Sequence, residues 1–228
     1  DFISTAADSN CSCAFGSDSI PLVERALAHR AGIGFYGKNC LLYNPDYGSW
    51  FFLGEILLDY YLEPDRPIEE DCGSCTRCID ACPTGALVEP YNLDAKRCIS
   101  CVNQEKGDIP LEIRSQMGTQ VLACDICQEV CPYNNVFESS ACNDFFEIDI
   151  IKEVNLLETI SMSKRKFAGD FGRTVIGWRG KKVLERNSAA ALGNIGDPSL
   201  VPYLEKALFD PKPLVRSHAG WALGQIGT

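Results

Sequence analysis

The spacing of the cysteines constrains this 228-residue chain more than any other feature. A first run follows the pattern C-x2-C-x2-C-x3-C-P, and a second run further along reads C-x2-C-x3-C-P. Bacterial ferredoxins bind cubane clusters with such runs, and the last cysteine of each run reaches the other cluster of the pair. The sequence therefore predicts two [4Fe–4S] clusters. The runs span residues 72–83 (CGSCTRCIDACP) and 124–132 (CDICQEVCP).

The exchange of the last cysteine divides the ligands into two sets. The first cluster takes the closely spaced cysteines of the first run and the last cysteine of the second run, Cys72, Cys75, Cys78 and Cys131. The second cluster takes the remaining cysteines of both runs, Cys82, Cys124 and Cys127. One thiolate is then missing. Cys98 and Cys101 lie between the runs, and spacing alone does not choose between them.

A zinc ribbon and a set of disulfides are the alternative uses of so many cysteines. Zinc needs only four ligands and gives no reason for a proline after each run. Disulfides suit a secreted chain, but the sequence shows no hydrophobic signal segment. Both alternatives are therefore less favoured than two iron–sulfur clusters.

The composition is that of a globular protein, with 46% hydrophobic and 23% charged residues. No apolar run approaches the roughly 20 residues of a membrane span, so we expect a cytoplasmic protein without a membrane partner. The chain does not begin with Met, and its first residues resemble the interior of a protein. We therefore expect an amino-terminal portion to precede it.

The charge is unevenly distributed along the chain. The net charge of −10 argues by itself against a nucleic-acid partner. The basic segment, residues 164–186, nevertheless carries +6, and the rest of the chain carries −16. This segment is either a solvated face or an RNA-binding surface, and Trp178 favours RNA because an aromatic ring can stack on an unpaired base. The candidate RNA contacts are Lys164, Arg165, Lys166, Arg173, Trp178, Arg179, Lys181, Lys182 and Arg186.

Residues 1–65 contain helix and strand signals. We expect an amphipathic helix from Leu22 to about Arg30, with Asp18 or Ser19 as its cap.

A glycine-rich segment, residues 32–39 (GIGFYGKN), superficially matches two nucleotide-binding motifs. It fits neither motif, because a helix rather than a strand precedes it and Asn39 stands where a phosphate loop needs Ser or Thr. The glycines instead predict a loop whose exposed backbone a large polar ligand can approach. The apolar run at residues 49–58 (SWFFLGEILL) predicts a buried strand.

Residues 66–140 are predicted to form a ferredoxin-like domain with two clusters, and residues 141–228 a helical domain. In the helical part we expect a helix over residues 150–162 and another over residues 198–208. Two segments on either side of the latter match each other at an offset of 31 residues, which predicts a HEAT-like α-solenoid repeat. The matching segments are 188–196 (SAAALGNIG) and 219–227 (AGWALGQIG). The expected fold class is α+β.

Two classes of function fit a pair of clusters without a flavin or nicotinamide motif. One is a ferredoxin-type electron carrier with appended domains, and the other is an enzyme whose clusters supply electrons to a bound cofactor. A carrier needs neither a preceding apolar segment of 65 residues nor a helical repeat. The enzyme is therefore the favoured interpretation.

The order of these motifs along nearly the whole chain resembles the epoxyqueuosine reductase family. The resemblance rests on residues 18–25 (DSIPLVER), 30–39 (RAGIGFYGKN), 48–55 (GSWFFLGE), both cysteine runs, 97–100 (RCIS) and the HEAT-like repeat. It implies a cobalamin-dependent enzyme with two clusters that removes the epoxide oxygen of epoxyqueuosine at the tRNA wobble position, in the last step of queuosine synthesis. It also implies a tRNA partner and an external electron donor, either a flavodoxin or ferredoxin type or a chemical reductant. We expect a monomer.

The resemblance also implies roles for single residues. Asp18 corresponds to the family's general acid, which suits the reaction because epoxide opening makes an alkoxide that a carboxylic acid can protonate. The missing cluster ligand corresponds to Cys98 rather than Cys101. The resemblance makes residues 1–65 an α/β segment that forms the C-terminal part of a cobalamin-binding catalytic domain. The implied cobalamin contacts are Asp18, Lys38, Leu42, Leu53, Ser100, Asp125 and Ile126. Reductive dehalogenases share the arrangement of clusters but lack the HEAT-like repeat. The repeat therefore favours an epoxyqueuosine reductase over a reductive dehalogenase.

Overall fold

The computed structural model describes Thr5 and residues 11–18, 21–135 and 154–227, which combine short strands with helices as the α+β class requires. The strands are β1 (Cys13–Gly16), β2 (Phe35–Tyr36), β3 (Leu42–Tyr43), β4 (Glu55–Leu58), β5 (Leu87–Glu89) and β6 (Asn92–Leu93). The helices are α1 (Glu24–Arg30), α2 (Arg77–Asp80), α3 (Ile99–Gln104), α4 (Leu111–Arg114), α5 (Ile126–Glu129), α6 (Leu156–Thr159), α7 (Lys164–Asp170), α8 (Val175–Arg179), α9 (Lys181–Ile195), α10 (Val201–Ala207) and α11 (Pro213–Ile226). Short 3₁₀ turns lie at Pro132–Asn134 and Pro198–Leu200.

The chain forms two compact units. The first unit comprises Asp1–Asp80, Glu89–Asn92 and Cys127–Ser139, and the second comprises Ala81–Val88, Leu93–Ile126 and Ser140–Thr228. The predicted cluster domain contributes to both units, and the division into three domains stays a prediction. Within the described ranges, no helix is long and apolar enough to cross a membrane.

The first unit contains two small antiparallel sheets. Strand β1 pairs with β4, so that Cys13 lies opposite Leu58, and β2 pairs with β3. The prediction of a buried strand over residues 49–58 is wrong in extent and in burial. Only the last four residues form a strand, and Phe52 is 88% exposed. Strand β4 has a single partner strand among the described residues, so its side chains gain little cover from a two-stranded sheet.

Helix α1 begins later than expected and lacks the predicted cap. It starts at Glu24, and its N-cap residue, Val23, accepts no hydrogen bond through its side chain. Asp18 instead has a left-handed backbone with φ of 54°, and its amide N–H donates to the carboxylate of Glu24. Ser19, the other proposed cap, lies outside the described residues. The first-turn acid thus turns back towards the Asp18 backbone.

The glycines of residues 32–39 serve internal packing, which corrects the expectation of an exposed backbone. Gly34 and Gly37 are buried against Tyr43. A Cβ atom on Gly34 would lie 2.5 Å from the carbonyl oxygen of Tyr43, and one on Gly37 would lie 2.4 Å from its ring. The ring centroid of Tyr43 lies 6.0 Å from those of Phe35 and Tyr133, which are 5.0 Å from each other. The glycines therefore allow a close approach of backbone to this aromatic cluster.

The second unit is organised around helix α9. Its central residues are buried, and it packs against α6, α8 and α11. Small residues make this packing close, since a Cβ atom on Gly193 would lie 2.7 Å from the Cα of Ala222. Helices α9 and α11 both end at a glycine in the left-handed conformation, Gly196 and Gly227. The predicted helical repeat is confirmed, with α10 as the helix between.

Helix α6 is shorter than expected. It covers Leu156–Thr159, with Asn155 as a side-chain cap that accepts from the amide of Glu158. Residues 150–153 of the helix predicted over 150–162 lie outside the described residues.

Arg186 is buried in the second unit, so its assignment as an RNA contact is wrong. Its guanidinium donates to the carbonyl oxygens of Asn103 and Glu105, both at 2.9 Å, and to those of Val102 and Gly107. Burial lowers the pKa of Arg186 to about 10, which leaves it charged at neutral pH. The last carbonyls of α3 have no partner within their own helix, and this buried cation satisfies them.

Replacing Arg186 with Met should destabilise the second unit, because several buried carbonyls lose their donor. Each unsatisfied acceptor costs about 1–3 kcal/mol, so we expect a loss of at least about 3 kcal/mol. Thermal denaturation of the cluster-loaded protein, followed anaerobically by circular dichroism, measures the effect. The exposed Arg165 is the matched control, and Arg165→Met should change stability by about 0.5 kcal/mol or less. Equal melting temperatures for the two variants would contradict the structural role.

Candidate iron–sulfur centres and catalytic pocket

The four cysteines predicted for the first cluster surround one cavity in the first unit. Cys72, Cys75, Cys78 and Cys131 all line it. Burial raises the pKa of the Cys72 thiol, and the nearby Cys131 and Cys75 raise it further, whereas Lys38 lowers it. The structure thus brings four sulfur ligands around one space, as a [4Fe–4S] cluster requires.

Lys38, a predicted cobalamin contact, lines this same cavity. Its ammonium group donates to the carbonyl oxygens of Gly73 at 2.6 Å and Cys75 at 2.9 Å. The side chain is therefore attached to the loop that carries the first-cluster cysteines.

Three of the four cysteines predicted for the second cluster approach one another in the second unit. Burial raises the pKa of the Cys124 thiol, and Cys98 and Cys82 are among the neighbours that raise it further. Cys101 lies 3.9 Å from a carboxylate oxygen of Glu105, to which its thiol donates. This arrangement favours Cys98 as the fourth ligand. Cys127 belongs to the first unit, and its role stays a prediction.

The sulfur of Cys82 is prepared for ligation by its own loop. Burial by itself raises the pKa of this thiol. Hydrogen bonds from the backbone of Leu87 and from Thr84 and Ala86 outweigh burial, so the pKa is lowered overall. The amide nitrogen of Ala86 lies 3.3 Å from the sulfur. These donors favour the thiolate, which is the form that binds iron.

The side-chain amides of Asn103 and Asn187 fix the turn before Cys124 by hydrogen bonds. The side chain of Asn103 donates to the carbonyl of Ala123 at 2.8 Å and accepts from its amide at 3.1 Å. Asn187, on α9, donates to the carbonyls of Asn103 and Val121, both at 2.7 Å. Ala123 has a positive φ of 56°, which costs energy and needs such support. Sequence reasoning missed these asparagines, because nothing in their spacing marks them.

A second cavity in the first unit contains Asp18. It measures about 340 Å³, and two predicted cobalamin contacts, Leu42 and Leu53, lie in it with Asp18. Its other lining residues are Ser17, Glu24, Arg25, Leu41, Ser49, Phe51 and Phe52. The remaining predicted contacts lie in the second unit, Ser100 in α3 and Asp125 and Ile126 at the start of α5. The wall combines apolar side chains with the charged groups of Asp18, Glu24 and Arg25, which suits a large ligand that reacts at a polar group.

Sequence reasoning missed Glu24, the acid beside Asp18. Glu24 accepts from the Asp18 amide and also faces Glu55. Burial raises the pKa of Glu55, and the charge of Glu24 raises it further. An acid in the first turn of a helix is common for reasons of the helix dipole, so the sequence carried no signal for this arrangement.

Comparisons with known proteins agree with the two cysteine runs and the repeat. Residues 71–134 match the model of the 4Fe-4S double cluster binding domain, and residues 180–228 match that of HEAT repeats. The epoxyqueuosine reductase of Bacillus subtilis is 44% identical over 211 residues, which cover 92% of this chain and 55% of that protein. A crystal structure of selenomethionine-labelled epoxyqueuosine reductase superposes with a TM-score of 0.94 at 42% identity, covering 100% of this chain and 61% of the other.

Along nearly its whole length the chain is similar to epoxyqueuosine reductases. A further family structure, solved with an epoxyqueuosine-modified stem loop of tyrosine tRNA, superposes with a TM-score of 0.93 at 42% identity and is covered to 60%. The chain thus spans somewhat more than half the length of these relatives. The double-cluster domain and the HEAT repeat that the sequence predicts are confirmed.

The basic segment divides into an exposed and a paired part. The exposed cations without a described acidic partner are Lys164, Arg165, Arg173 and Lys182. Lys166 lies 3.1 Å from Glu158 and 2.9 Å from Asp170, and Lys181 pairs with Glu185. The segment therefore offers fewer cations to an RNA than its sequence suggested.

Trp178 and Arg179 form an aromatic and cationic pair on the surface of the second unit. The indole is 73% exposed, and the guanidinium carbon of Arg179 lies 3.9 Å from its centroid. Arg179 also donates to Gln104 at 3.3 Å, and Gln104 donates to the carbonyl of Ser100 at 2.8 Å. This chain of contacts connects the exposed indole to the helix that follows Cys98.

The choice between Cys98 and Cys101 can be tested by iron analysis. Cys98→Ser should lower the iron content from about eight to about four per chain, because the second cluster loses a ligand. Cys101→Ser is the matched control and should retain both clusters. Iron is counted in anaerobically reconstituted protein. Loss of iron from Cys101→Ser with retention in Cys98→Ser would reverse the assignment.

Proposed function

We propose that the protein containing this chain reduces epoxyqueuosine to queuosine at the wobble position of tRNA, using cobalamin and two [4Fe–4S] clusters. The observation that carries the proposal is the cavity of Asp18, Leu42 and Leu53 in the same unit as the four first-cluster cysteines. The relatives named epoxyqueuosine reductase support it, and one of them is solved with an epoxyqueuosine-modified stem loop. The cluster ligands are the eight cysteines assigned above, with Cys98 as the fourth ligand of the second cluster.

Cobalamin, when bound, supplies a strongly reducing cobalt nucleophile, and the clusters supply electrons one at a time. Asp18 donates a proton to the substrate oxygen as the epoxide opens, which prevents an uncompensated alkoxide from forming. In the overall balance the epoxide takes up two electrons and two protons and gives an alkene and water. Phe51 and Leu53 line the same cavity and give it an apolar surface beside the acid.

Glu24 positions the general acid. Its carboxylate accepts the hydrogen bond of the Asp18 amide, so it fixes the backbone from which the acid projects. This contact acts through Asp18 and does not touch the reacting oxygen.

The electrons come from an external donor of flavodoxin or ferredoxin type, or from a chemical reductant. A cytoplasmic monomer is the proposed form. The exposed cations of the basic segment and Trp178 are the proposed contacts to the tRNA. The proposed cobalamin contacts are the seven residues that the family resemblance implies. Among them, the ammonium group of Lys38 also donates to the carbonyl oxygens of Gly73 and Cys75.

An electron carrier without cobalamin is the alternative. The cavity of about 340 Å³ beside Asp18 speaks against it, since an electron carrier has no use for a ligand cavity with an acid at its wall. A visible spectrum of protein reconstituted with iron, sulfide and cobalamin separates the two, because only the enzyme retains a corrin absorption after gel filtration. A reductive dehalogenase is disfavoured by the HEAT repeat.

The general acid is tested by Asp18→Asn. Positioned acids contribute about 10²–10⁴-fold to rate, so turnover of an epoxyqueuosine-modified stem loop should fall by that factor. Cobalamin should stay bound through the other six proposed contacts, as judged by the visible spectrum. Asp46→Asn, an exposed aspartate in the turn after β3, is the control and should keep full turnover. Full turnover by Asp18→Asn would remove Asp18 from the role.

The RNA surface is tested by salt-dependent binding of the stem loop. Lys182→Glu should weaken binding and reduce the slope of log K against log salt by at least about 0.7–0.9, the contribution of one phosphate contact. Trp178→Ala should weaken binding by about 1–3 kcal/mol with little change in slope, because stacking carries no charge release. Lys206→Glu, an exposed lysine of α10, is the control. If neither Lys182→Glu nor Trp178→Ala alters binding, the basic segment is a solvated face and not an RNA-binding surface.

A further inference from the structure

Lys38 is a half-buried cation in the wall of the cavity that the first-cluster cysteines line. Its ammonium nitrogen lies 2.6 Å from the carbonyl oxygen of Gly73 and 2.9 Å from that of Cys75, and the side chain is half-buried. Both carbonyls belong to the loop that holds Cys72 and Cys75. The amine therefore lies against the backbone of the cluster loop and in the wall of the cavity itself.

The backbone beneath Lys38 is fixed from several sides. The amide of Gly37 donates to the carbonyl of Leu41 at 2.8 Å, and the amide of Cys40 donates to the carbonyl of Gly37 at 2.9 Å. The carbonyl of Lys38 accepts from the amide of Tyr91 at 3.0 Å. A lysine held at both its backbone and its ammonium group has lost most of its freedom before any ligand arrives. Its charge is therefore preorganised at the cavity.

The next residue adds to this rigidity. Asn39 is buried, and its side-chain amide donates to the hydroxyl of Tyr43 at 2.8 Å and to the carbonyl of Cys127 at 3.4 Å. Tyr43 lines the same cavity. The turn thus connects both cysteine runs within the first unit.

A fixed cation at this place favours the reduced cluster. A [4Fe–4S] cluster with four thiolate ligands is negatively charged and gains one more negative charge, without a proton, when it accepts an electron. A positive charge in a partly desolvated wall stabilises the more negative state more strongly than one in water. Arg77 also lines the cavity but is exposed, so solvent and salt screen its charge more effectively.

We propose that Lys38 is the electrostatic positioning residue of the first cluster, raising its reduction potential and fixing the loop of Gly73 and Cys75. This rests on the clusters of the proposed function, but its readout is independent of epoxide reduction. The electron comes from the same low-potential donor class, and Lys38 neither gains nor loses a proton in the step. The family resemblance implies a cobalamin contact for Lys38, and the hydrogen bonds of its ammonium group to the cluster loop add this second role.

The test is a redox titration of the full-length protein, reconstituted with both clusters and without cobalamin. Electron paramagnetic resonance follows each cluster as dithionite or titanium(III) lowers the potential. In Lys38→Gln, which keeps a donor but removes the charge, the reduced-to-oxidised ratio of the first cluster at a fixed potential should fall at least about tenfold, a shift of about 59 mV to more negative potential. The second cluster should not shift.

Two further variants separate charge from shape. Lys38→Arg keeps the charge and should titrate like the original protein. Lys106→Gln, which removes an exposed lysine of the second unit, should leave the first cluster unchanged.

Several outcomes would overturn the proposal. An unshifted first cluster in Lys38→Gln, or an equal shift in Lys38→Arg and Lys38→Gln, would show that the charge does not set the potential. If a variant loses the first cluster, iron analysis gives the result in place of the titration. Loss of that cluster from Lys38→Gln but not from Lys38→Arg supports a need for the cation, and loss from both of these variants contradicts it. Turnover of the stem loop by the original, cobalamin-loaded protein together with an unshifted potential in Lys38→Gln would refute this inference alone. A shifted potential in Lys38→Gln together with no turnover by the original, cobalamin-loaded protein would refute only the proposed function.

Discussion

Backbone carbonyls that no helix or strand satisfies are the constraint on which both cluster regions depend. The cysteine runs are mostly loops, so their carbonyls need donors from elsewhere. In the first unit Lys38 provides two such hydrogen bonds, to the loop of Gly73 and Cys75. In the second unit Arg186 and Asn187, both on α9, donate to the segments after Cys98 and before Cys124. Side chains from neighbouring elements thus shape the cysteine loops.

This use of α9 joins two features that look independent in the sequence. The repeat helix packs its small residues against α11, and its polar residues hold the backbone around the second-cluster cysteines. Asn194 extends the pattern by donating to the carbonyls of Arg114 and Gly118 at 2.7 and 2.8 Å. The HEAT repeat is therefore a structural support for that cluster region as well as a candidate RNA surface. A change in its buried polar face should affect both.

The charges of the basic segment serve different purposes at different positions. Arg186 is buried under backbone carbonyls, and Glu185, also buried, binds Lys181 and Lys212. Lys182 points to solvent. Adjacent residues on a helix point in different directions, so one run of charge contains both a structural core and a solvent-facing surface. A count of charges predicts a surface but does not assign its members.

The sequence by itself determined the two clusters and the helical repeat, because metal-ligand spacing and helical periodicity are local and survive any tertiary arrangement. It also suggested Asp18 through family resemblance. Only the tertiary structure decided that Phe52 is exposed, that Gly34 and Gly37 pack on Tyr43, and that Arg186 is buried. These outcomes depend on contacts between residues far apart in the chain. Burial and hydrogen-bond partners of that kind leave no periodic trace in a single sequence.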